Sequence, residues 1–157
     1  MGLYYIITQR MRRGGIVEFN SHKGVKAGNL GEIKGLLPQL VKTPKVITLR
    51  DIRKILSDSN VYLLTIKDGV KIVGIAALLF HAAPTGFHAH IEDVVIDEAY
   101  RGRGLGEKLI QKLMAIAKTK QARYIELTSR PSRVAANHLY QKLGFEKKET
   151  NVYKIRL

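Results

Sequence analysis

A chain of 157 residues with 45% hydrophobic content has the length of one domain and enough apolar material for a single two- or three-layer core. Its 27 Lys and Arg outweigh 13 Asp and Glu to give a net charge of +14, a field that favours anionic partners: phosphorylated cofactors, acidic surfaces or nucleic acid. The absence of cysteine excludes disulfides, thiolate nucleophiles and cysteine-bound zinc, and no apolar run of about 18 residues marks a membrane span.

The opening "MGLYYIITQRMRR" places its positive charges after the apolar stretch, the reverse of a secretory signal. Position 6 is Ile where a myristoylation site wants Ser or Thr, so a cytoplasmic setting without membrane attachment is expected. "LYYIIT" and "GIVEF" predict short strands around the basic turn "RMRRGG". Residues 1–22 therefore read as an N-terminal extension or extra β element ahead of a domain over 23–157.

Asn29 followed by Glu32 predicts a capping box, and Leu30, Ile33, Leu36, Leu37 and Leu40 recur at helical spacing towards Pro44. Thr48 with Asp51 opens a second helix, whose apolar face is Leu49, Ile52, Ile55 and Leu56. "VYLLTI" and "KIVGIAALLF" flank the turn Lys67-Asp68-Gly69 and predict a hairpin; the loop "HAAPTGF" then leads to a third strand, "HAHIEDVVID". Leu105, Leu109, Ile110, Leu113, Met114 and Ile116 form a helical stripe. "RYIELTS" predicts a further strand, Ser132 a cap for a short helix ending at the C′ glycine Gly144, and "FEKKETNVYKIRL" two short strands around Glu149-Thr150-Asn151. The order gives an α+β domain.

The densest signal is "DEAYRGRGLGEKLI", residues 97–110, where a β-forming run meets an amphipathic helix. Taken alone, such a segment is as well read as a flexible turn. In this context its glycines permit positive φ and close approach of a ligand, while main-chain N–H groups at the positive end of the following helix suit an anion. Arg101 and Arg103 add forked donors for phosphate. Gly102, Gly104 and Gly106 are spaced Gly-x-Gly-x-Gly, which is not a dinucleotide fingerprint, and Lys108 lacks the Ser or Thr of a P-loop.

Arg101-Gly102-Arg103-Gly104-Leu105-Gly106 after "IEDVVIDEAY", with "AANHLYQKLGF" downstream, resembles the GNAT N-acetyltransferase family over roughly residues 23–157. The resemblance implies the GNAT fold: a mixed, mostly antiparallel sheet of six to seven strands flanked by four helices. It also implies acetyl-CoA as cosubstrate and direct transfer of its acetyl group to an amine in a ternary complex. The loop residues 101–106 would then hold the diphosphate. Val94, Val95 and Ile96 would hold the pantetheine arm on a strand that a bulge splays from its neighbour, with a main-chain N–H near Val94 facing the thioester oxygen. Tyr140 would be the acid towards sulfur, and His90 or Glu92 the base. Many family members carry Asn seven residues before that tyrosine, where Arg133 stands here; Asn137 is the residue available to replace its cofactor contact.

From the residues alone, Tyr140 reads as a core aromatic between Leu139 and Leu143, and the resemblance is what reverses that reading. His90 and Glu92, at i and i+2, share one strand face; their plainer roles are a hydrogen-bonded strand histidine and a surface carboxylate. Asp93 points to the opposite face and reads as structural. His88 and His90 form a His-x-His pair with His81 nearby, but a zinc site wants further ligands and the resemblance needs no metal, so none is expected. Arg130 and Arg133 suit either an acidic substrate group or the start of the closing helix. The expected partner is an amine-bearing small molecule or a protein amine, and a homodimer is compatible with the pattern. "HIEDVV" is similar to the corresponding strand of glucosamine-6-phosphate acetyltransferases, whereas the segment before the closing helix differs. The alternative is a non-catalytic module of the same fold that binds CoA, or RNA through its basic surface; no nucleic-acid motif accompanies the charge.

Overall fold

The computed structural model describes residues 6–10, 16–20, 29–41 and 47–155. One six-stranded sheet runs in the order β1 (Ile6–Arg10), β2 (Ile16–Asn20), β3 (Val61–Asp68), β4 (Lys71–Ala83), β5 (Gly86–Ile96), β6 (Ile125–Leu127). Neighbours pair antiparallel except β5 and β6, which are parallel. Helices α1 (Leu30–Leu36) and α2 (Leu49–Ser57) cover one face; α3 (Leu105–Thr119) and α4 (Val134–Lys142) belong to the other. The expected α+β architecture with a mixed, mostly antiparallel sheet and four helices is therefore present.

The strands β3 and β4 are apolar at almost every position because the sheet is covered on both faces. Leu64, Ile66, Val73, Ala76, Leu78 and Phe80 meet Leu105, Leu109, Ile110 and Leu113 of α3. Leu63, Ile72 and Ile75 meet Ile33 and Leu36 of α1 and Ile52 of α2. Each such side chain contributes about 1.5–3 kcal/mol through burial, so the sheet is clamped from both sides and its end is held in place for chemistry. Phe19 of β2 is buried in the α3-side core, which ties the N-terminal hairpin to the rest.

Five local expectations change. The Asn29 side chain does not cap α1: it lies 3.1 Å from Glu32 Oε2 and accepts from Lys67 Nζ, while Glu32 Oε2 also accepts from Ile72 N. Tertiary partners on the β3–β4 hairpin take the groups a capping box would use. The first helix also stops early. Pro38 turns the chain into the 3₁₀ turn Leu37–Gln39, and the extension towards Pro44 reaches residues outside the described ones, as does the basic turn 11–15. Next, "HAAPTGF" is mostly strand, because β4 and β5 continue in register to Ala83↔Gly86. Lastly, Ser132 does not cap α4: the N-cap is Arg133, with no side-chain cap, and the tail 146–155 forms no strand, so the sheet has six strands among the described residues. Val152, Tyr153 and Ile155 are 74%, 87% and 82% exposed, too little buried to hold a strand against β6.

The end of α4 does behave as expected. Gly144 takes φ +89, its N–H donates to Gln141 O, and Phe145 N–H donates to Tyr140 O. These are the two bonds of a Schellman motif, completed by the edge contact between the Tyr140 and Phe145 rings.

Candidate active site

The site begins with an irregularity in β5. Ile75 pairs with Val95 but Ala77 pairs with Glu92, so Asp93 and Val94 stand opposite Ala76 alone. Asp93 absorbs the extra residue at φ +54, a conformation that Asp tolerates better than most side chains. The bulge reverses the alternation of the strand. Ala89 and Ile91 face the α3-side core before it, Val94 and Ile96 after it, with Val95 turned to the α1–α2 side.

β5 and β6 are joined only at Ala89↔Ile125, His90↔Glu126 and Ile91↔Leu127. Beyond Ile91 the edge of β5 that faced β6 has no strand partner among the described residues. Residues 92–95 thus keep one row of main-chain groups available in a place where a sheet edge is normally covered, and at Ile96 the carbonyl is taken by Arg101 Nε.

That open edge leads through the 3₁₀ turn Glu98–Tyr100 into the glycine loop. Gly102 and Gly104 have φ +72 and +73, and Gly104 is the N-cap of α3 with no side-chain cap. The first-turn N–H groups of α3 are therefore left unsatisfied. Nothing lies within 4 Å of where a Cβ would sit at Gly102 or Gly104, so these residues are glycine for their conformation and leave open space beside the amides. A diphosphate fits this setting: bare amides at a helix N-terminus, with room to approach them.

The arginines of the loop are engaged with the protein itself. Arg101 Nε donates to Ile96 O at 3.0 Å and its Nη2 to Gln39 Oε1 at 3.1 Å. Arg103 Nη2 donates to Ala99 O at 2.8 Å, and its guanidinium lies 4.8 Å from the centre of the Tyr100 ring. Tyr100 is fixed in turn by its hydroxyl, which donates to Asp68 Oδ2. These side chains shape the loop and add positive potential, and the main chain is what the loop leaves exposed.

Helix α4 is docked onto the start of α3. Leu139 Cδ2 would lie 3.6 Å from a Cβ at Gly106, and Lys142 Nζ pairs with Glu107 at 2.8 Å. Tyr140, on the same helix, is half-buried against the α3-side core and the Phe145 ring. Burial raises its pKa, with Arg133 pulling the other way, so the phenol stays protonated at neutral pH. Arg133 donates through Nη2 to Leu40 O at 2.7 Å and also draws down the carboxyl of Asp93, whose pKa desolvation raises on balance. Asp93, Arg133 and Tyr140 are thus electrostatic neighbours. Asn137 is engaged elsewhere: its Nδ2 donates to Arg130 O at 2.9 Å and holds the loop ahead of α4.

His90 and Glu92 lie together as expected, with Nε2 3.3 Å from Oε1, on the face opposite α3. His88 is buried, stacked on Tyr124 at 4.1 Å with Nε2 3.1 Å from the Thr85 hydroxyl. The resemblance implied a bulge in this strand, and it is present; its seat at a left-handed Asp93, the Arg133–Leu40 bond and the Gln39 contact were not foreseen. Only the first left a trace in the sequence: an Asp, which tolerates positive φ, inside a β-branched run.

The GNAT acetyltransferase family model matches residues 36–145. Among curated relatives, glucosamine 6-phosphate N-acetyltransferase of Trypanosoma brucei brucei is 42% identical over 82 residues, half of this chain. The match spans only 54% of that relative. Among solved structures, an acetyltransferase of Trypanosoma brucei is 28% identical, with a TM-score of 0.73 over 90% of this chain and 99% of that one. An aminoglycoside N-acetyltransferase in complex with CoA is 19% identical, with a TM-score of 0.76 over 92% of this chain and 97% of that one, and shares the fold.

Proposed function

Because the chain belongs to the GNAT acetyltransferase family, we propose that it is an acetyl-CoA-dependent N-acetyltransferase acting on a primary amine by direct transfer in a ternary complex in the cytoplasm. Residues 1–22 are read as an extra β element on an acetyltransferase domain over 23–157. The observation that carries the reading is the opening of β5 from β6 directly ahead of an uncapped helix that starts at a left-handed glycine.

Bound acetyl-CoA supplies a thioester whose carbonyl carbon accepts the amine nitrogen and whose sulfur departs as thiolate. The amides of residues 102–106 hold the diphosphate, and the edge of β5 at Val94, Val95 and Ile96, where Arg101 holds the Ile96 carbonyl, aligns the pantetheine amides. A main-chain N–H at the bulge near Val94 donates to the carbonyl oxygen as negative charge develops there, a role that the break in strand pairing at Asp93 and Val94 supports. Preorganised donors of this kind contribute about 2.7–4 kcal/mol each in other acyl-transfer sites. Tyr140 keeps its proton at neutral pH and delivers it to sulfur. Glu92, with His90 at 3.3 Å, takes the proton of the incoming ammonium. Arg101 and Arg103 support the two cofactor-binding segments through Ile96 O and Ala99 O, while Asn137 holds the loop ahead of α4 through Arg130 O.

The acceptor is a small-molecule or protein amine. Release of free thiol from acetyl-CoA over a panel holding glucosamine 6-phosphate, a polyamine and peptides with free amino termini tests the reading. Turnover with at least one amine is expected, and Tyr140→Phe should lower kcat about 10²-fold or more while CoA still binds. No turnover on any amine by a protein that binds CoA would refute it.

A further inference from the structure

The 3₁₀ turn Leu37–Gln39 ends α1 on the face opposite α3, yet its polar groups reach both halves of the cofactor site. Gln39 Oε1 accepts from Glu98 N at 2.9 Å and from Arg101 Nη2 at 3.1 Å. Both partners can only donate, so the carboxamide oxygen, not its nitrogen, must face them. Arg101 also reaches Ile96 O, the last residue of β5. One carboxamide therefore gathers the end of β5, the start of the 98–100 turn and the first side chain of the glycine loop. On the next residue, Leu40 O accepts from Arg133 Nη2 at 2.7 Å, which ties the same turn to the start of the helix that carries Tyr140.

A loop with two glycines is costly to order when a ligand arrives, because glycine has the most backbone freedom to lose. Fixing its flanks beforehand lowers that cost and raises affinity without any new ligand contact. Gln39 reaches no farther than protein groups, so its influence on the loop is indirect. We propose that Gln39 is a positioning residue for the diphosphate of acetyl-CoA. Its oxygen holds residues 98–101 so that the amides of 102–106 stand ready for the phosphates, and the turn it belongs to braces the Tyr140 helix through Leu40. This inference rests on the acetyl-CoA reading above.

The test is calorimetric titration of wild type and Gln39→Leu with CoA, together with pantetheine, which lacks the diphosphate, measured by competition with CoA. The leucine keeps the apolar stem and removes the acceptor. CoA affinity should fall about three- to tenfold, the effect of losing one or two hydrogen bonds of this kind, while pantetheine affinity stays at the wild-type value. An unchanged CoA affinity, or equal losses for CoA and pantetheine, overturns the proposal; the second result would mean general loss of structure. Failure of the wild type to bind CoA would end the acetyl-CoA reading itself, so the two failures are told apart in one titration.

Discussion

Helices α2 and α3 begin in opposite ways. Thr48 caps α2, accepting from Asp51 N at 3.2 Å while the Asp51 carboxylate accepts from Thr48 N at 2.8 Å. Helix α3 begins at Gly104, with positive φ and no side chain to accept from its first amides. The two ends of β5 repeat the contrast: residues 89–91 are paired on both sides, and residues 92–96 on one. Where the chain satisfies its own main chain, it builds scaffold. Where it leaves main-chain groups bare, at two places that adjoin, a ligand with matching acceptors and donors is called for.

The contrast is broken most sharply at Gly104. A β-branched residue at φ +73 costs about 1–2 kcal/mol, and its side chain enters the open space beside the amides. Gly104→Val should weaken CoA binding about tenfold or more and also lower the thermal midpoint. Gly104→Asn separates the two effects, because Asn tolerates positive φ. The asparagine variant should recover most of the midpoint but not the affinity. If calorimetry gives both variants wild-type affinity, the loop is not the diphosphate site.

The same contrast explains what could be read in the sequence. The loop 101–106 and the helix ending at Gly144 were legible because glycine at fixed offsets reports a backbone conformation directly. The capping box at Thr48 and Asp51 formed, and the one at Asn29 and Glu32 did not, because Lys67 and Ile72 of the neighbouring hairpin compete for the same side chains. A local rule cannot see a tertiary partner. The same holds for Arg101 and Arg103: their charge suggested phosphate, yet Ile96 O, Ala99 O and Gln39 Oε1 lie within reach. Gln39 carries no signal at all, since a lone glutamine after a proline is unremarkable until the fold sets it against residue 98. The tail failed for a different reason. "NVYKI" has strand-forming residues, but strand formation requires an apolar face to cover, and the side chains of residues 151–155 remain exposed.

A smaller effect sharpens the scaffold side. Thr48→Ala should cost about 1 kcal/mol of stability, as loss of an N-cap does, and leave CoA affinity unchanged. Chemical denaturation alongside the CoA titration checks both halves. Loss of affinity in this variant would mean that α2 and the cofactor site are not as separate as the two helix starts imply.

The smallest expected effect uses two carboxylates that bracket the open stretch of β5. Asp93 has its pKa raised, chiefly by desolvation, so the native state holds that proton more tightly than the unfolded chain does. Its charge therefore opposes folding above the ordinary carboxylate range, and the penalty fades as pH falls through that range. Asp97 is the reverse: the hydrogen bond from Lys71, 3.1 Å away, holds its pKa down. That pair stabilises the fold above the ordinary carboxylate value, and its contribution is lost as pH falls through the lowered one. Asn at either position keeps the local geometry, tolerating positive φ at 93 and accepting from Ala99 N at 97. Asp93→Asn should thus raise the thermal midpoint at pH 7, and Asp97→Asn should lower it, both by small amounts because solvent screens the exposed Asp93 and the half-exposed Lys71 that pairs with Asp97. The two differences from wild type should shrink together in acid. If Asp93→Asn is destabilising at pH 7, its carboxylate is satisfied by the fold, and the bulge is scaffold rather than the start of the open site.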